Sequence, residues 1–327
     1  MTAWLLRLLG LLLLVVAIAV GAFKAPDRPL TSLVPRWAPP PSQFVELALG
    51  EGLVQITHLR DEGPREDRLP IVLLHGTSDS LHSWDGWVKE LSRTRRVLRV
   101  DLPGFGLTGP APDDDYRMAA YTRFVRALLD QQQLRRVVLV GNSLGGEVAW
   151  MSAAALPERV AGLVLLDPAG LPFEPDALPL GFAASRFAPT AWVSQFLLPR
   201  PLVKQSVEAV FGDPAKVQPE LVDRYFEITL REGNRRALGL RVRALLAERG
   251  GKPYEEAWKS LRLPVLLIWG ERDRLIPPRY AQQYLDLRAK DAEPARLVLL
   301  PGIGHVPHVE DPAGSLAVAR PFIEGLR

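Results

Sequence analysis

Ser143, Asp273 and His305 are the side chains through which this sequence could carry out a reaction. Ser143 lies in Gly141-Asn142-Ser143-Leu144-Gly145, a G-x-S-x-G pattern between the apolar run Val137 to Val140 and a helical stretch. A tight strand-to-helix turn pushes such a serine out above a sheet, and only small residues two places before and after it clear the crossing. The helix that follows points its first amides at the same spot, where they favour developing negative charge. That arrangement suits nucleophilic attack on a carbonyl carbon. The bland alternative is that Ser143 only caps a helix.

A serine hydroxyl needs a base, and the chain offers five histidines. His305 follows Leu299-Leu300-Pro301-Gly302-Ile303-Gly304 and sits in a glycine-flanked loop just past an apolar run, which suits an imidazole that must be aimed. His308, three residues on, is its rival and reads as a helix-start or structural residue. His75 precedes Gly76 at a strand end and reads as loop structure, and His58 and His82 as surface or packing residues. The base in turn needs a carboxylate to fix its tautomer. Asp273, in Trp269-Gly270-Glu271-Arg272-Asp273, is the preferred partner, with Glu271 and Asp167 as alternatives. The chain order serine, aspartate, histidine is that of a strand–turn–helix hydrolase. An oxyanion hole wants two backbone amides: that of Leu144 follows from the turn, and that of Thr77, after His75-Gly76, is best placed for the second.

These residues must be held by a sheet. Short apolar runs at Ile71–Leu74, Val97–Val100, Val137–Val140, Val160–Leu166, Val265–Trp269 and Leu297–Leu300 alternate with helical stretches at 84–91, 116–131, 143–155, 278–288 and 311–326. Strands apolar on both faces, alternating with amphipathic helices, imply an α/β fold with a mostly parallel sheet covered on both sides. Residues 44–49 and 53–59 read as a hairpin around Gly50 and Gly52. Thr77, Ser78, Asp101, Ser143, Asp167, Asp273 and His305 all fall at or after strand carboxyl ends, where ligands bind in such sheets. Asp101, in Asp101-Leu102-Pro103-Gly104, reads as a turn organiser. Residues 171–261 contain no convincing strand and read as a helical insertion between two strands of the sheet, so the core comprises 44–170 and 262–327. Helical stretches are expected there at 202–211, 219–231 and 234–249. Phe173, Phe182, Phe187, Trp192, Phe196 and Phe211 read as packing, some of them facing a ligand.

The N-terminus is set apart. Leu8 to Phe23 carries no charge, so residues 1–24 read as a membrane anchor if Arg7 snorkels to the interface. A cleaved signal peptide ending near Val20-Gly21-Ala22 is the second reading, and a core helix the third. Six prolines within residues 25–41 make 25–43 an extended tether. The chain has no cysteine, which excludes disulfides, thiolate metal sites and a cysteine nucleophile without fixing a compartment. A net charge of +3 with scattered arginines indicates no nucleic-acid partner.

Four motifs agree in order and spacing: His75-Gly76-Thr77 with Trp84 downstream, Asp101-Leu102-Pro103-Gly104-Phe105-Gly106, the turn at Ser143, and the Asp273 and His305 loops. From about Phe44 to the end the chain resembles the α/β-hydrolase fold family, its residues 171–261 matching the position of the cap. The resemblance implies a cofactor-free hydrolase. Haloalkane dehalogenases and epoxide hydrolases carry aspartate where this chain has Ser143. Hydrolases of meta-cleavage products, which break a C–C bond, often have tryptophan directly after the histidine; here it is Val306, closer to esterases and lipases. Perhydrolases and lactonases stay compatible. The expectation is a membrane-tethered serine hydrolase of lipophilic carboxylic esters, with a C–C hydrolase and a non-catalytic binder as alternatives. Acyl chain length and oligomeric state are not encoded legibly.

Overall fold

The computed structural model describes residues 2–180, 183, 195–248 and 251–326. Phe182, Phe187 and Trp192 lie outside the described residues. Eight strands form one sheet: β1 (Gln43–Gly50), β2 (Leu53–Glu62), β3 (Ile71–Leu74), β4 (Val97–Val100), β5 (Val137–Asn142), β6 (Val160–Leu166), β7 (Val265–Gly270) and β8 (Arg296–Leu300). Their order is β1-β2-β4-β3-β5-β6-β7-β8, with β1, β2 and β4 joined antiparallel and the remainder parallel.

The central strands are apolar throughout because both faces are covered. Val72 and Leu74 of β3 and Leu139 of β5 point into a core shared with α4 (Met118–Gln131) and α5 (Leu144–Ala155). Ile71, Leu73, Val138 and Val140 point into the opposite core, shared with α3 (Asp85–Leu91) and the last helix, Pro312–Gly325. The period of two thus feeds two separate cores.

Between β6 and β7 the described residues form four α-helices: α6 (Arg200–Glu208), α7 (Pro219–Thr229), α8 (Asn234–Glu248) and α9 (Lys252–Ser260). The first three correspond to the expected helical stretches. The fourth was not anticipated, and it packs back on the sheet side: the Trp258 ring lies 5.7 Å from Trp150 and 4.8 Å from Tyr284. After β7 come α10 (Ala281–Asp286) and, beyond β8, α11 (Pro307–Glu310) and α12 (Pro312–Gly325).

The expectation of an extended tether is corrected. After α1 (Thr2–Phe23), residues 30–37 form a second helix, α2 (Leu30–Trp37), with Leu33 buried. The surrounding segment is strapped to the cap by polar contacts that composition does not reveal. Ala25 N–H donates to Phe196 O, and Arg28 N–H to Leu230 O. Arg235 donates to Asp27 Oδ1, and Trp37 Nε1–H to Glu227 Oε2 at 2.8 Å. The prolines interrupt the chain without freeing it, since Pro29 sits at the N-cap of α2.

Residues Trp4–Phe23 form a continuous helix long and apolar enough to cross a membrane, with none of its apolar window buried against the domain. At 1.5 Å per residue the 22 residues of α1 (Thr2–Phe23) span about 33 Å, comparable with the hydrocarbon core of a bilayer. A signal sequence meets the same criterion.

Candidate active site

Ser143 stands between β5 and α5 at φ 53° and ψ −116°, a conformation that costs a side-chain-bearing residue energy. Its neighbours show what holds it there. A Cβ on Gly141 would lie 2.1 Å from Gly145 O, and one on Gly145 would lie 2.1 Å from Leu74 O. The turn therefore closes only with glycine at both places, as the motif implied. Ser143 N–H is tied to Leu166 O of the next strand.

His305 lies in the loop after β8, and its Nδ1 is 2.7 Å from Asp273 Oδ2. Asp273 is anchored independently, its Oδ1 accepting from Leu275 N–H at 2.8 Å and Ile276 N–H at 2.9 Å. With Nδ1–H donated to Asp273, the neutral imidazole leaves Nε2 as the acceptor. Nε2 has no hydrogen-bond partner among the described residues. Ser143 and His305 line one cavity, without a hydrogen bond between them. Catalytic contacts of this kind commonly tighten only when substrate is bound.

Thr77 and Leu144 border the same cavity, and neither backbone amide donates to a protein acceptor among the described residues. The loop carrying Thr77 is fixed from below. His75 Nδ1–H donates to Gly76 O and its Nε2 accepts from Leu102 N–H. Asp101, fully buried, accepts from Leu81 N–H and Leu107 N–H at 2.7 Å each, and from His58 Nδ1 at 2.7 Å. Burial opposes its ionisation, but the neighbouring His58, its hydrogen bond and the other histidines outweigh that and hold Asp101 below the usual carboxylate range. Asp101, read as a turn organiser, has that role.

The rivals fall elsewhere. Glu271 accepts from Gly302 N–H and does not meet His305. His308 is buried with its ring stacked on Trp84 at 4.0 Å; burial pushes its pKa well down, so it is a neutral packing group. His58 and His82 are buried members of a polar network that includes Ser42, Ser80 and Trp37 O. Asp167, just after β6, is the exception and lies beside Asp273 and His305: one oxygen of each carboxyl, Asp167 and Asp273, and a ring nitrogen of His305 fall within 4.8 Å of one another.

Two positioning side chains carried no signal in the sequence. Asn142 Nδ2 donates to Leu166 O at 3.1 Å and to His305 O at 2.9 Å, tying the Ser143 turn to the His305 loop. Glu310 accepts from Gly304 N–H at 2.8 Å and from Gly212 N–H and Asp213 N–H at 2.9 Å, joining the histidine loop to the cap. Its cap partners are about a hundred residues away in sequence, so no local pattern marks it.

The cavity above Ser143 has a volume of about 470 Å³. Its walls are mostly apolar, with Leu171, Phe173, Leu198, Leu202, Leu238 and Leu245 among them. Polar side chains enter from α5 and α8: Arg241 Nη2 donates to Glu147 Oε2 at 3.0 Å, both residues buried.

The model of the Alpha/beta hydrolase family matches residues 71–318, which run from the start of β3 into the first half of α12. The chain belongs to the alpha/beta hydrolase family. Among its relatives is the 2-hydroxy-6-oxo-2,4-heptadienoate hydrolase of Pseudomonas putida, 28% identical over 278 residues, covering 82% of this chain and 92% of the relative. The fold is shared with a thermophilic esterase from Thermogutta terrifontis, with a TM-score of 0.71, 23% identity and coverage of 86% and 98%. A bacterial membrane phospholipase A superposes with a TM-score of 0.71 and 21% identity over 99% of both chains. As an alpha/beta hydrolase, the chain has a fold that relatives use for ester cleavage and for C–C cleavage alike.

Proposed function

We propose that the protein is a serine hydrolase that cleaves carboxylic esters through an acyl-enzyme. The observation that carries this reading is the 2.7 Å contact between His305 Nδ1 and Asp273, with His305 bordering the cavity that Ser143 enters from its strained turn. Ser143 Oγ attacks the ester carbonyl carbon as its proton passes to His305 Nε2. The Thr77 and Leu144 amides receive the developing oxyanion. Collapse expels the alcohol, which takes the proton from His305. A water then gives its proton to the same nitrogen as it attacks the acyl-enzyme, releasing the acid and restoring Ser143. Asp273 stabilises the imidazolium in both halves.

The apolar cavity walls support a lipophilic acyl or alcohol group, and no cofactor is needed for these steps. The exposed apolar helix supports an anchored protein with its hydrolase domain on the exported side; a cleaved signal would make it secreted or periplasmic. Detergent extraction of the full-length chain from membranes tests the anchor.

The test of the chemistry is a panel of p-nitrophenyl esters of increasing acyl length, assayed with wild type and Ser143→Ala, alongside fluorophosphonate labelling. Ser143→Ala should lose about 10⁴-fold or more in kcat while keeping its unfolding midpoint. Full activity in that variant, or failure of folded wild type to label, overturns the reading and favours a non-catalytic binder. Similarity to the Pseudomonas putida dienoate hydrolase supports a second reading, a C–C bond hydrolase using the same three residues. Val306 after His305 favours the ester. A vinylogous diketone cleaved faster than every ester in the panel would reverse that preference.

A further inference from the structure

Asp167 is the buried ionisable group closest to the proposed triad that the reaction does not use. It ends β6 with φ 44°, its N–H donates to Ile268 O, and its Oδ1 accepts from Gly270 N–H at 2.8 Å. Its other oxygen, Oδ2, is buried and meets no N–H or O–H donor among the described residues. The neighbours that carry or can carry charge are Asp273 from the loop after β7, His305 from the loop after β8, and Glu310 from α11. No arginine or lysine faces it among these, and the side chain on the β5 side, Asn142, is neutral and engaged with Leu166 O and His305 O.

We propose that Asp167 is a positioning residue of the triad that holds a proton between its own carboxyl group and that of Asp273, so that the two carry a single negative charge. Two ionised carboxylates this close, both away from water, would repel strongly with one imidazole to offset them. The position of the shared proton follows from the donors each group receives. Asp273 accepts two backbone amides at Oδ1 and His305 at Oδ2, whereas Asp167 accepts only one amide, so the proton sits on Asp167. Burial, and then the charge of Asp273, push the Asp167 carboxyl well above the ordinary aspartate range, in keeping with that assignment. The O–H of Asp167 then gives Asp273 one further donor. It lowers the basicity of the carboxylate that faces His305 and fixes its plane. The proton is neither consumed nor released during turnover.

The proposal rests on the Ser143–His305–Asp273 reading, and its test is separate from that one. The acidic limb of the kcat/KM profile on an activated ester is compared for wild type, Asp167→Asn and Asp167→Ala. Asn keeps a neutral donor and should leave the limb in place. Ala removes the donor, leaves Asp273 more basic, and should move the limb upward by about half a pH unit. If Asp167 is ionised instead, Asp167→Asn removes a charge beside His305 and the limb falls by about two units; that result overturns the proposal. A limb unmoved in both variants, which a merely structural role would give, overturns it as well. A measurement on the wild type does not depend on either variant folding. In protein labelled with ¹³C at the aspartate carboxyls, one buried aspartate should remain protonated at pH 7, and its absence also sinks the idea. Loss of fluorophosphonate labelling at Ser143 would instead mark failure of the triad itself.

Discussion

The floor and the roof of the cavity are built by different means. The proposed reactive groups on the floor are held mainly by backbone: Ser143 by a turn that only glycines close, Asp273 by two amides, and His305 by its own N–H donated to Val210 O together with the Asp273 carboxylate. The roof is made from half-buried side chains of α6 and α8, with Leu202 and Leu238 among them, and from ion pairs such as Arg235 with Asp27. Backbone geometry hardly changes when a neighbouring side chain is exchanged, whereas a cavity wall changes with every substitution. On the proposed reading the floor sets the reaction, and the roof sets which molecule undergoes it. Perturbing the floor should scale the rates on all substrates together, and perturbing the roof should re-rank them.

The largest effect should come from Asp273→Asn. It leaves the shape intact but allows His305 to present the wrong ring nitrogen to Ser143, and kcat should fall by about 10⁴-fold on short and long esters alike. A loss confined to one chain length would contradict the division between floor and roof. Asp101→Asn tests the support beneath the Thr77 loop. It strips a buried charge from His58 and weakens the acceptor for two amides, so unfolding should cost about 3 kcal/mol less at pH 7 in denaturant titration. The sign with pH follows from a folded pKa held below the unfolded value. The contribution of Asp101 is fully present above about pH 4 and is lost as pH falls from there toward the folded pKa. The gap between wild type and variant should narrow over that acidic range.

On the roof, Leu238→Trp should shorten the cavity. Long-chain esters should lose about tenfold in kcat/KM while short-chain esters change less than about twofold, as read from the same ester panel. Equal losses at every length would mean that Leu238 does not border the acyl path.

The floor was more legible in the sequence than the roof, for a physical reason. Val137 to Val140 and Ile71 to Leu74 must be apolar at every position because both sheet faces are covered, and Gly141 and Gly145 must be glycine because the turn leaves no room. Such constraints act within a few residues and leave a local pattern. The docking of residues 25–37 rests on pairs such as Asp27 with Arg235 and Trp37 with Glu227, about two hundred residues apart, and no window of sequence registers those. Asn142 was hidden differently: it occupies an unrestricted position of the G-x-S-x-G pattern, and its role appears only once the His305 loop lies beside it. Helix α9 escaped because it falls at the end of a segment read as cap, while Trp258 belongs with the sheet-side core.

The smallest effect concerns the strap, where composition and structure disagree most. Glu227 accepts from Trp37 Nε1–H at 2.8 Å and Arg36 Nη1 at 2.5 Å, with Arg28 Nη1 4.0 Å away. Its side chain is 18% exposed and the two arginines about half exposed, so solvent screens the ion pairs. Most of the value lies in the Trp37 contact. Glu227→Ala should therefore lower the unfolding free energy by only about 1 kcal/mol. Its local consequence should be larger than its global one, because Leu33 is the apolar anchor left to α2 between the two polar clasps at Asp27 and Glu227. Limited trypsin digestion should then cut after Arg36 faster than in wild type, with the rest of the domain intact. Were residues 25–41 the free tether that their prolines suggest, that site would be cleaved at the same rate in both proteins.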